Sequence, residues 1–355
     1  MKTLLIAVLS LLLCGASAIG QEKPLSQAEY VKMLYELPKN PGIKSEIIEA
    51  LRRRGIEFVL NDGVRSVTRS KSANDDELKR ALEEADRRRQ NPVGTQLPSA
   101  AEITTLVEKT TKNTLDQVGD MPDFVVKQQI QRSDAFAGTG NFRNRDKLIV
   151  AVSYRSSGEE SYRLLSINGV LLNSTDARGS YEQAGGTSST GEFVTMLATI
   201  FKPENKAFFE AIDTDMILGR RTVVFNFSVE KDRAKQVISA VGVTSSSTIT
   251  GMRGRIWIDR SDARVLRIES EATEIPANFP ILSARRSIEY DWVKIEDERY
   301  LLPSLSDVRL VAVGKPRDYE TRNVIRFRNY QKFGSEVRVL DDDIKPDPEP
   351  TPIKP

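Results

Sequence analysis

The sequence predicts an α+β protein in which a small all-α module precedes a curved antiparallel β-sheet, a half-barrel with one or two covering helices. Three observations support this class. The hydrophobic period changes from about 3.6 to about 2 after residue 117. Most candidate strands follow one another through short Gly, Asp and Asn turns, as in an antiparallel meander. Finally, about ten strands would make an open sheet about 45 Å wide, and two helices about 10 Å across cover less than half of it, so we expect the sheet to curl.

Composition narrows the possible functions. The chain has 355 residues, enough for about two domains. Its formal net charge of +2 creates no field of the kind that binds nucleic acid, so no nucleic-acid partner is expected. The chain contains no histidine and a single cysteine, Cys14, which excludes Ser-His-Asp catalysis, Cys-His catalysis and His-ligated zinc. We predict a protein without a cofactor or a metal ion and without enzymatic activity.

Residues 1–20 have the pattern of a secretory signal peptide. Lys2 is followed by an apolar run over residues 4–13 and then by small residues. As a helix, this run spans about 15 Å, half the thickness of a bilayer, so a transmembrane anchor is disfavoured. Lipidation of Cys14 is also disfavoured, because Leu13 precedes it where a small side chain is required. We therefore predict an exported protein of the periplasm or cell envelope that is not integral to the membrane.

Residues 26–92 are predicted to form the small helical module. A capping box at Ser26 and Glu29 opens the first helix, a second helix fits residues 43–54, and a third starts near Asn74. Arginine triplets end the second and third helices, where cations offset the helix dipole. Capping therefore explains the triplets, and the alternative is a docking surface for another envelope protein.

The β domain is predicted over residues 98–340, after a linker at residues 90–98 that contains Pro, Gly and Asn. It begins with a helix over residues 100–117, and one further helix is predicted at residues 192–201. The candidate strands cover residues 124–132, 148–154, 162–167, 207–212, 222–229, 255–259, 265–271, 286–295, 301–313 and 324–333. Residues 341–355 are acidic and Pro-rich and are predicted to form a disordered tail.

Alternation along the strands predicts one apolar face and one solvated face. Phe225 and Phe227 share a side of their strand with two valines, and Trp292 and Phe327 hold equivalent positions in later strands. These four aromatic residues are predicted to line the concave face as ligand-binding residues. A filled core is the alternative, and composition does not separate the two because both require burial.

A glycine-rich segment precedes the helix predicted at residues 192–201. It contains Gly185, Gly186 and Gly191, and residues 186–191 have the glycine spacing of a phosphate loop. Glu192 stands where such a loop requires lysine, so phosphate binding is disfavoured. We predict a flexible loop that caps the helix and, as a sharper hypothesis, a hinge that lets the helix move as a lid over the concave face.

The remaining charged residues have mainly structural interpretations. A carboxylate-dependent hydrolase would need two carboxyl groups in one cleft, and the candidates are Asp213 with Asp215, Asp259 with Asp262, and Glu296 to Glu298. Turn positions explain the second and third groups. Tyr162 and Arg286 are expected on the solvated face of their strands.

Three segments, at residues 185–193, 254–260 with 264–269, and 327–333, carry a resemblance together with the order of elements. A secretory signal, a long helix, an antiparallel meander and one inserted helix resemble the LolA/LolB-like outer-membrane lipoprotein-sorting superfamily, and an uncharacterised secreted bacterial family of that type. The resemblance covers residues 100–340. It implies a hydrophobic cavity under a helical lid that can hold acyl chains, although a fold does not by itself determine a function.

The predicted function is therefore the binding of an apolar ligand, a lipid or a lipoprotein, in the cavity of the curved sheet. The first alternative is an envelope scaffold with a filled core, in which the helical module or the Pro-rich tail docks another protein. A carboxylate-dependent hydrolase is the third. A cavity lined by the four aromatic residues would favour the first function, and a filled core would favour the second.

Overall fold

The computed structural model describes residues 23–172, 191–241 and 245–333. Contacts between Cα atoms divide the chain into two compact units with a boundary between Gly94 and Thr95. The predicted signal peptide, the glycines Gly185 and Gly186, and the predicted tail at residues 341–355 lie outside the described residues.

The described part of the first unit consists of four helices around one apolar core. Their bounds are Gln27–Glu36 (α1), Ile43–Arg54 (α2), Asp62–Lys71 (α3) and Asp76–Gln90 (α4). Ser26 caps α1 by accepting a hydrogen bond from the backbone N–H of Glu29 at 3.2 Å. Helix α3 is additional to the three predicted helices. Only two of its side chains are buried, so its sequence shows no apolar stripe. Asn61 caps α3, because its side-chain oxygen accepts a hydrogen bond from the N–H of Val64 at 3.0 Å.

The second unit begins with helix α5, Ala100–Gly119, which starts in a capping box made by Ser99 and Glu102. Two shorter helices follow later in the unit, Thr195–Phe201 (α6) and Lys231–Ala234 (α7). The strands are Phe124–Phe136 (β1), Arg143–Tyr154 (β2), Glu160–Ile167 (β3), Val170–Leu171 (β4), Phe208–Ile217 (β5), Arg220–Val229 (β6), Gln236–Val241 (β7), Ser245–Asp259 (β8), Val265–Thr273 (β9), Ile281–Ile295 (β10), Glu298–Ala312 (β11) and Tyr319–Lys332 (β12).

These strands form one antiparallel sheet in the order β4-β3-β2-β1-β12-β11-β10-β9-β8-β6-β5, and β7 pairs with the first half of β8. The sheet is curved and, among the described strands, not closed, which makes it a half-barrel. The predicted fold class is therefore confirmed. Most neighbours in the sheet are also neighbours in sequence, because short turns join most successive strands. The pairing of β1 with β12 brings the two ends of the domain together at the centre.

Glycine permits a close approach of two strands near the middle of the sheet. A Cβ atom at Gly254 of β8 would lie 1.9 Å from the carbonyl oxygen of Glu269 in β9. No side chain larger than hydrogen fits there without moving the backbone. The backbone of β8 can thus continue from its pairing with β7 to its pairing with β6 and β9.

Some element boundaries differ from the predicted ones. Strands β8, β10 and β12 begin earlier than predicted, and β4, β7 and the short helix α7 are additional. Helix α6 begins at Thr195, three residues after the predicted start at Glu192. The residues before Thr195 form a turn and no side chain caps α6, so the predicted helix start at Glu192 is wrong. The loop predicted to cap that helix lies, apart from Gly191, outside the described residues.

One register row runs across the inner face, which we define as the face that packs against α5 and α6. Its directly opposed residues lie on ten strands: Ile167, Leu148, Ile130, Ile325, Ser306, Ile288, Ile268, Ile256, Phe225 and Ala211. Nine of these ten side chains are apolar. We refer to them as the central row. The predicted alternation of apolar and polar residues is therefore realised as a continuous apolar stripe, interrupted at Ser306.

Candidate functional site

Helices α5 and α6 cover the half of the inner face formed by strands β5 to β10. One apolar cluster joins Leu106 of α5 to the four buried side chains of α6, which are Met196, Leu197, Ile200 and Phe201. Phe225 and Phe227 belong to this cluster and are 0% and 2% exposed. Trp292 packs against the cluster and is partly buried. Three of the four aromatic residues predicted from the sequence are thus associated with the first apolar cluster.

The fourth predicted residue, Phe327, lies in a second apolar cluster on the other half of the inner face. The ring of Phe193 is inserted there, and Phe193 is 1% exposed. Its centroid is 5.2 Å from that of Phe124, 5.7 Å from that of Phe327 and 6.0 Å from that of Tyr154. Two of these contacts are edge-to-face, a favourable arrangement of aromatic rings. We call Phe124, Tyr154 and Phe327 the aromatic box.

Residues 191–201, which we call the covering segment, therefore contribute side chains to both clusters. Phe193 fills the aromatic box, and the buried side chains of α6 pack over Phe225 and Phe227. Helix α6 has seven residues, too few to be stable by itself, so its position depends on this packing.

The start of the covering segment is attached to β3 by hydrogen bonds. The backbone N–H of Gly191 donates to the Glu160 carboxylate at 3.1 Å and lies 3.4 Å from the Tyr162 hydroxyl oxygen, and that hydroxyl donates to Glu160. Gly191 has a φ of +78°, a left-handed conformation that favours glycine. The chain can thus turn at this point into the inner face.

Burial raises the pKa of the Glu160 carboxyl, and its hydrogen bonds from Tyr162 and Gly191 offset only part of this rise. The negative charge of Glu192 raises the same pKa, whereas the positive charge of Arg286 lowers it. Glu160 lies on β3 and Arg286 on β10, five strands apart in the sheet. These two side chains therefore approach each other across the hollow of the half-barrel.

Glu192 is 0% exposed, and its charge acts on buried tyrosines of the inner face, which places its carboxylate in the hollow. Burial raises the pKa of Tyr162, Tyr290 and Tyr330, and the charge of Glu192 raises it further at all three. These tyrosines come from β3, β10 and β12, so Glu192 is surrounded by side chains from distant parts of the sheet.

The expectation that Tyr162 and Arg286 lie on the solvated face is wrong. Tyr162 packs against the second apolar cluster, and Arg286 occupies the inner face two residues before Ile288 of the central row. The strand period contains this information, since Arg286 shares its side of β10 with Ile288 and Tyr290. The polar character of both side chains led to the opposite prediction.

The carboxylate groups considered for hydrolysis have structural contacts. Asp259 accepts hydrogen bonds from the backbone N–H groups of Ser261 and Asp262, as expected for a turn residue. It also forms an ion pair with Arg220. Asp215 accepts a hydrogen bond from the Trp257 indole N–H at 3.0 Å. Glu296 begins the turn between β10 and β11 with a φ of +54°. Among the described residues, the carboxylates that face the hollow include Glu160 and Glu192, neither of which was predicted from the sequence as a candidate site residue.

Comparisons with known proteins give similarities among solved structures. No family model matches the chain, and no curated protein matches it. A LolA superfamily protein from Nitrosomonas europaea is similar over 68% of this chain and 96% of its own, with 10% identity and a TM-score of 0.24. A DUF1329 family protein from Desulfovibrio piger is similar over 69% of this chain and 97% of its own, with 9% identity and a TM-score of 0.27.

MucB of Pseudomonas aeruginosa, solved in complex with MucA, is similar over 62% of this chain and 94% of the solved chain, with 9% identity and a TM-score of 0.16. A LolA superfamily protein is thus among the similar solved structures, and this is the resemblance predicted from the sequence. Separately, no helix within the described ranges is long and apolar enough to cross a membrane.

Proposed function

We propose that this protein is exported to the cell envelope and binds an apolar ligand, the acyl chain of a lipid or lipoprotein, on the inner face of the half-barrel. The observation that carries the proposal is the covering segment. Within eleven residues it places Phe193, Val194 and the four buried side chains of α6 against the sheet. The surfaces that bury these side chains are suited to bury an acyl chain in their place.

In this proposal the covering segment is a lid that exchanges with the ligand. Phe225, Phe227 and Trp292 line one half of the ligand site, and Phe327 lines the other half within the aromatic box. Gly191 is the hinge residue that the structure describes, and Gly185 and Gly186 are further hinge residues proposed from the sequence. Displacing α6 breaks few backbone contacts, because the helix has only seven residues. The binding is non-enzymatic.

The second candidate function is an envelope scaffold whose inner face is a filled core. The nearly complete burial of Phe225 and Phe227 is the observation that favours it. In that case the helical unit is the surface that docks an envelope protein, and the covering segment does not move.

A chain-length series tests the proposed function. Purified protein is titrated with a fluorescent fatty-acid probe, which is then displaced by saturated acyl compounds of increasing length. Each buried methylene contributes about 0.8 kcal/mol, so affinity should rise about fourfold per methylene until the hollow is filled. Absence of saturable probe uptake would contradict the proposal, and the envelope scaffold would then be the remaining candidate function.

The matched variants are Phe225→Ala and Phe208→Ala. Phe225 lies in the proposed ligand site, whereas Phe208 is an exposed phenylalanine at the start of β5. Loss of chain-length dependence in the first variant, with unchanged binding in the second, is the expected result. Equal effects of both variants on probe binding would show that the probe binds elsewhere.

A further inference from the structure

The inner face carries three buried polar side chains without hydrogen-bond partners among the described residues. They are Gln128 on β1, Ser306 on β11 and Tyr290 on β10, and each is at most 1% exposed. Both amide atoms of Gln128 and both hydroxyl groups lack a partner there. Buried polar groups in folded proteins are nearly always hydrogen-bonded, so three such groups in one region require an explanation.

The strand register places these side chains in the middle of the hollow. Gln128 is directly opposed by Phe327 on one side and by Val150 on the other, and both belong to the second apolar cluster. Ser306 is the polar interruption of the central row, between Ile325 and Ile288. Tyr290 belongs to the first apolar cluster.

These strands, β1, β12, β11 and β10, are consecutive in the sheet. The three polar side chains therefore lie on three of four consecutive strands, from the second apolar cluster around Gln128 to the first apolar cluster at Tyr290. We call Gln128, Ser306 and Tyr290 the polar strip.

We propose that the polar strip is the head-group subsite of the ligand site, and that it selects an amphiphile with an uncharged, hydrogen-bonding head group. This inference rests on the proposed function, since it assumes that the covering segment gives way to a ligand. The acyl chain of the amphiphile then occupies one apolar cluster while its hydroxyl or amide groups bond to the strip.

The chemistry of the strip indicates this class of head group. A side-chain amide and two hydroxyl groups offer both donors and acceptors and carry no charge. Among the described residues, the charged groups on the inner face include the carboxyls of Glu160, Glu192 and Asp146 and the guanidinium groups of Arg286 and Arg132, and Arg132 is paired with Asp146. Because the carboxyls outnumber the guanidinium groups, a carboxylate or phosphate head group would be repelled. A quaternary ammonium would satisfy none of the hydrogen bonds.

The energetics of the covered state support exchange. A buried polar group that lacks its hydrogen bond destabilises the state in which it is buried. A ligand that supplies the bonds removes this penalty only when it is bound, so the strip adds to ligand affinity at the expense of the stability of the empty protein. Replacement of a strip residue by an apolar one should therefore change stability and affinity in opposite directions.

The test compares three amphiphiles with the same twelve-carbon chain. Monolauroylglycerol is uncharged and hydrogen-bonding, laurate is anionic, and dodecyltrimethylammonium is cationic without donors. Displacement of an apolar fluorescent probe should give an affinity for monolauroylglycerol at least about tenfold higher than for the other two, about 1.4 kcal/mol. Equal or tighter binding of laurate or of the ammonium compound would overturn the inference.

The variants are Gln128→Leu and Ser306→Ala, with Gln129→Leu as the control on the opposite side of β1. Each strip variant should raise the melting temperature of the empty protein by a few degrees. It should weaken the binding of monolauroylglycerol about tenfold and leave the affinity for the apolar probe unchanged. The control variant should leave the affinity for both ligands unchanged and should not have a raised melting temperature.

A strip variant that lowers the melting temperature, or that keeps the preference for monolauroylglycerol, would contradict the assignment. Binding of the apolar probe without any preference among head groups would overturn this inference and leave the proposed function standing. If neither the probe nor any amphiphile binds, both are wrong.

Discussion

Replacing Phe193 by alanine distinguishes a movable lid from a filled core. The Phe193 ring is 1% exposed and lies within 6.0 Å of all three rings of the aromatic box. In a filled core, truncation of such a residue costs about 3 to 5 kcal/mol of unfolding free energy. If the covering segment is a lid, the loss is limited to the free-energy difference between the covered and the uncovered state. We expect a loss of unfolding free energy below about 2 kcal/mol, because a lid opens locally at a lower free-energy cost than global unfolding.

The same variant should bind ligand more tightly. Removal of the ring from the aromatic box removes the side chain with which an acyl chain must compete, so apparent affinity for a fatty-acid probe should rise about tenfold. The assays are chemical unfolding, followed by tryptophan fluorescence, and a probe titration. Phe208→Ala is the control and should leave both measurements unchanged, since Phe208 is exposed. A loss of the full 3 to 5 kcal/mol, about the value for a core phenylalanine, without a gain in affinity would refute the reasoning.

Three further predictions concern Glu160, Gly191 and the boundary between the units. Burial raises the pKa of Glu160 in the folded protein, so the protonated carboxyl stabilises the folded state. This contribution to the free energy of unfolding is complete below the ordinary pKa of 4.5 and is lost as pH rises through the folded pKa. Melting curves of Glu160→Gln should lack this loss, and an unchanged pH profile would contradict the assignment. Gly191→Ala puts a Cβ in a left-handed conformation, 3.3 Å from the side chain of Thr195, and should cost about 1 to 2 kcal/mol. It should also speed probe release in stopped-flow measurements, and unchanged release kinetics would contradict a hinge at Gly191. Limited proteolysis should cut first near the exposed Val93 and leave a fragment from about residue 95 that unfolds cooperatively, whereas a fragment without a cooperative transition would show that the two units share a core.

The sequence predicted the large-scale architecture because that information lies in local periodicity. The change of hydrophobic period located the start of the sheet, and the alternation around Phe225 and Phe227 identified the face that is buried. Helix α3 and strand β7 were missed because each has few buried side chains, so that caps and pairing determine them instead of an apolar pattern.

The candidate site was predictable only in part. Phe225, Phe227, Trp292 and Phe327 are on the inner face, as expected, but their division between two clusters is not visible in the alternation along single strands. The insertion of Phe193 into the aromatic box depends on contacts between distant strands, which periodicity does not encode. The inner-face position of Gln128 was predictable from the period of β1, since Gln128 lies on the same side of the strand as the apolar residues Val126 and Ile130.

The most direct test of the central claim is photoaffinity labelling with a fatty acid that carries a diazirine near the end of its chain. The purified protein is irradiated with the probe, digested and mapped by mass spectrometry, with and without excess unlabelled fatty acid. We expect saturable labelling of peptides from β1, β6, β12 and the covering segment, around Phe124, Phe225 and Phe327. Labelling that does not saturate, or that is confined to the helical unit or to exposed side chains such as Phe208, would contradict it.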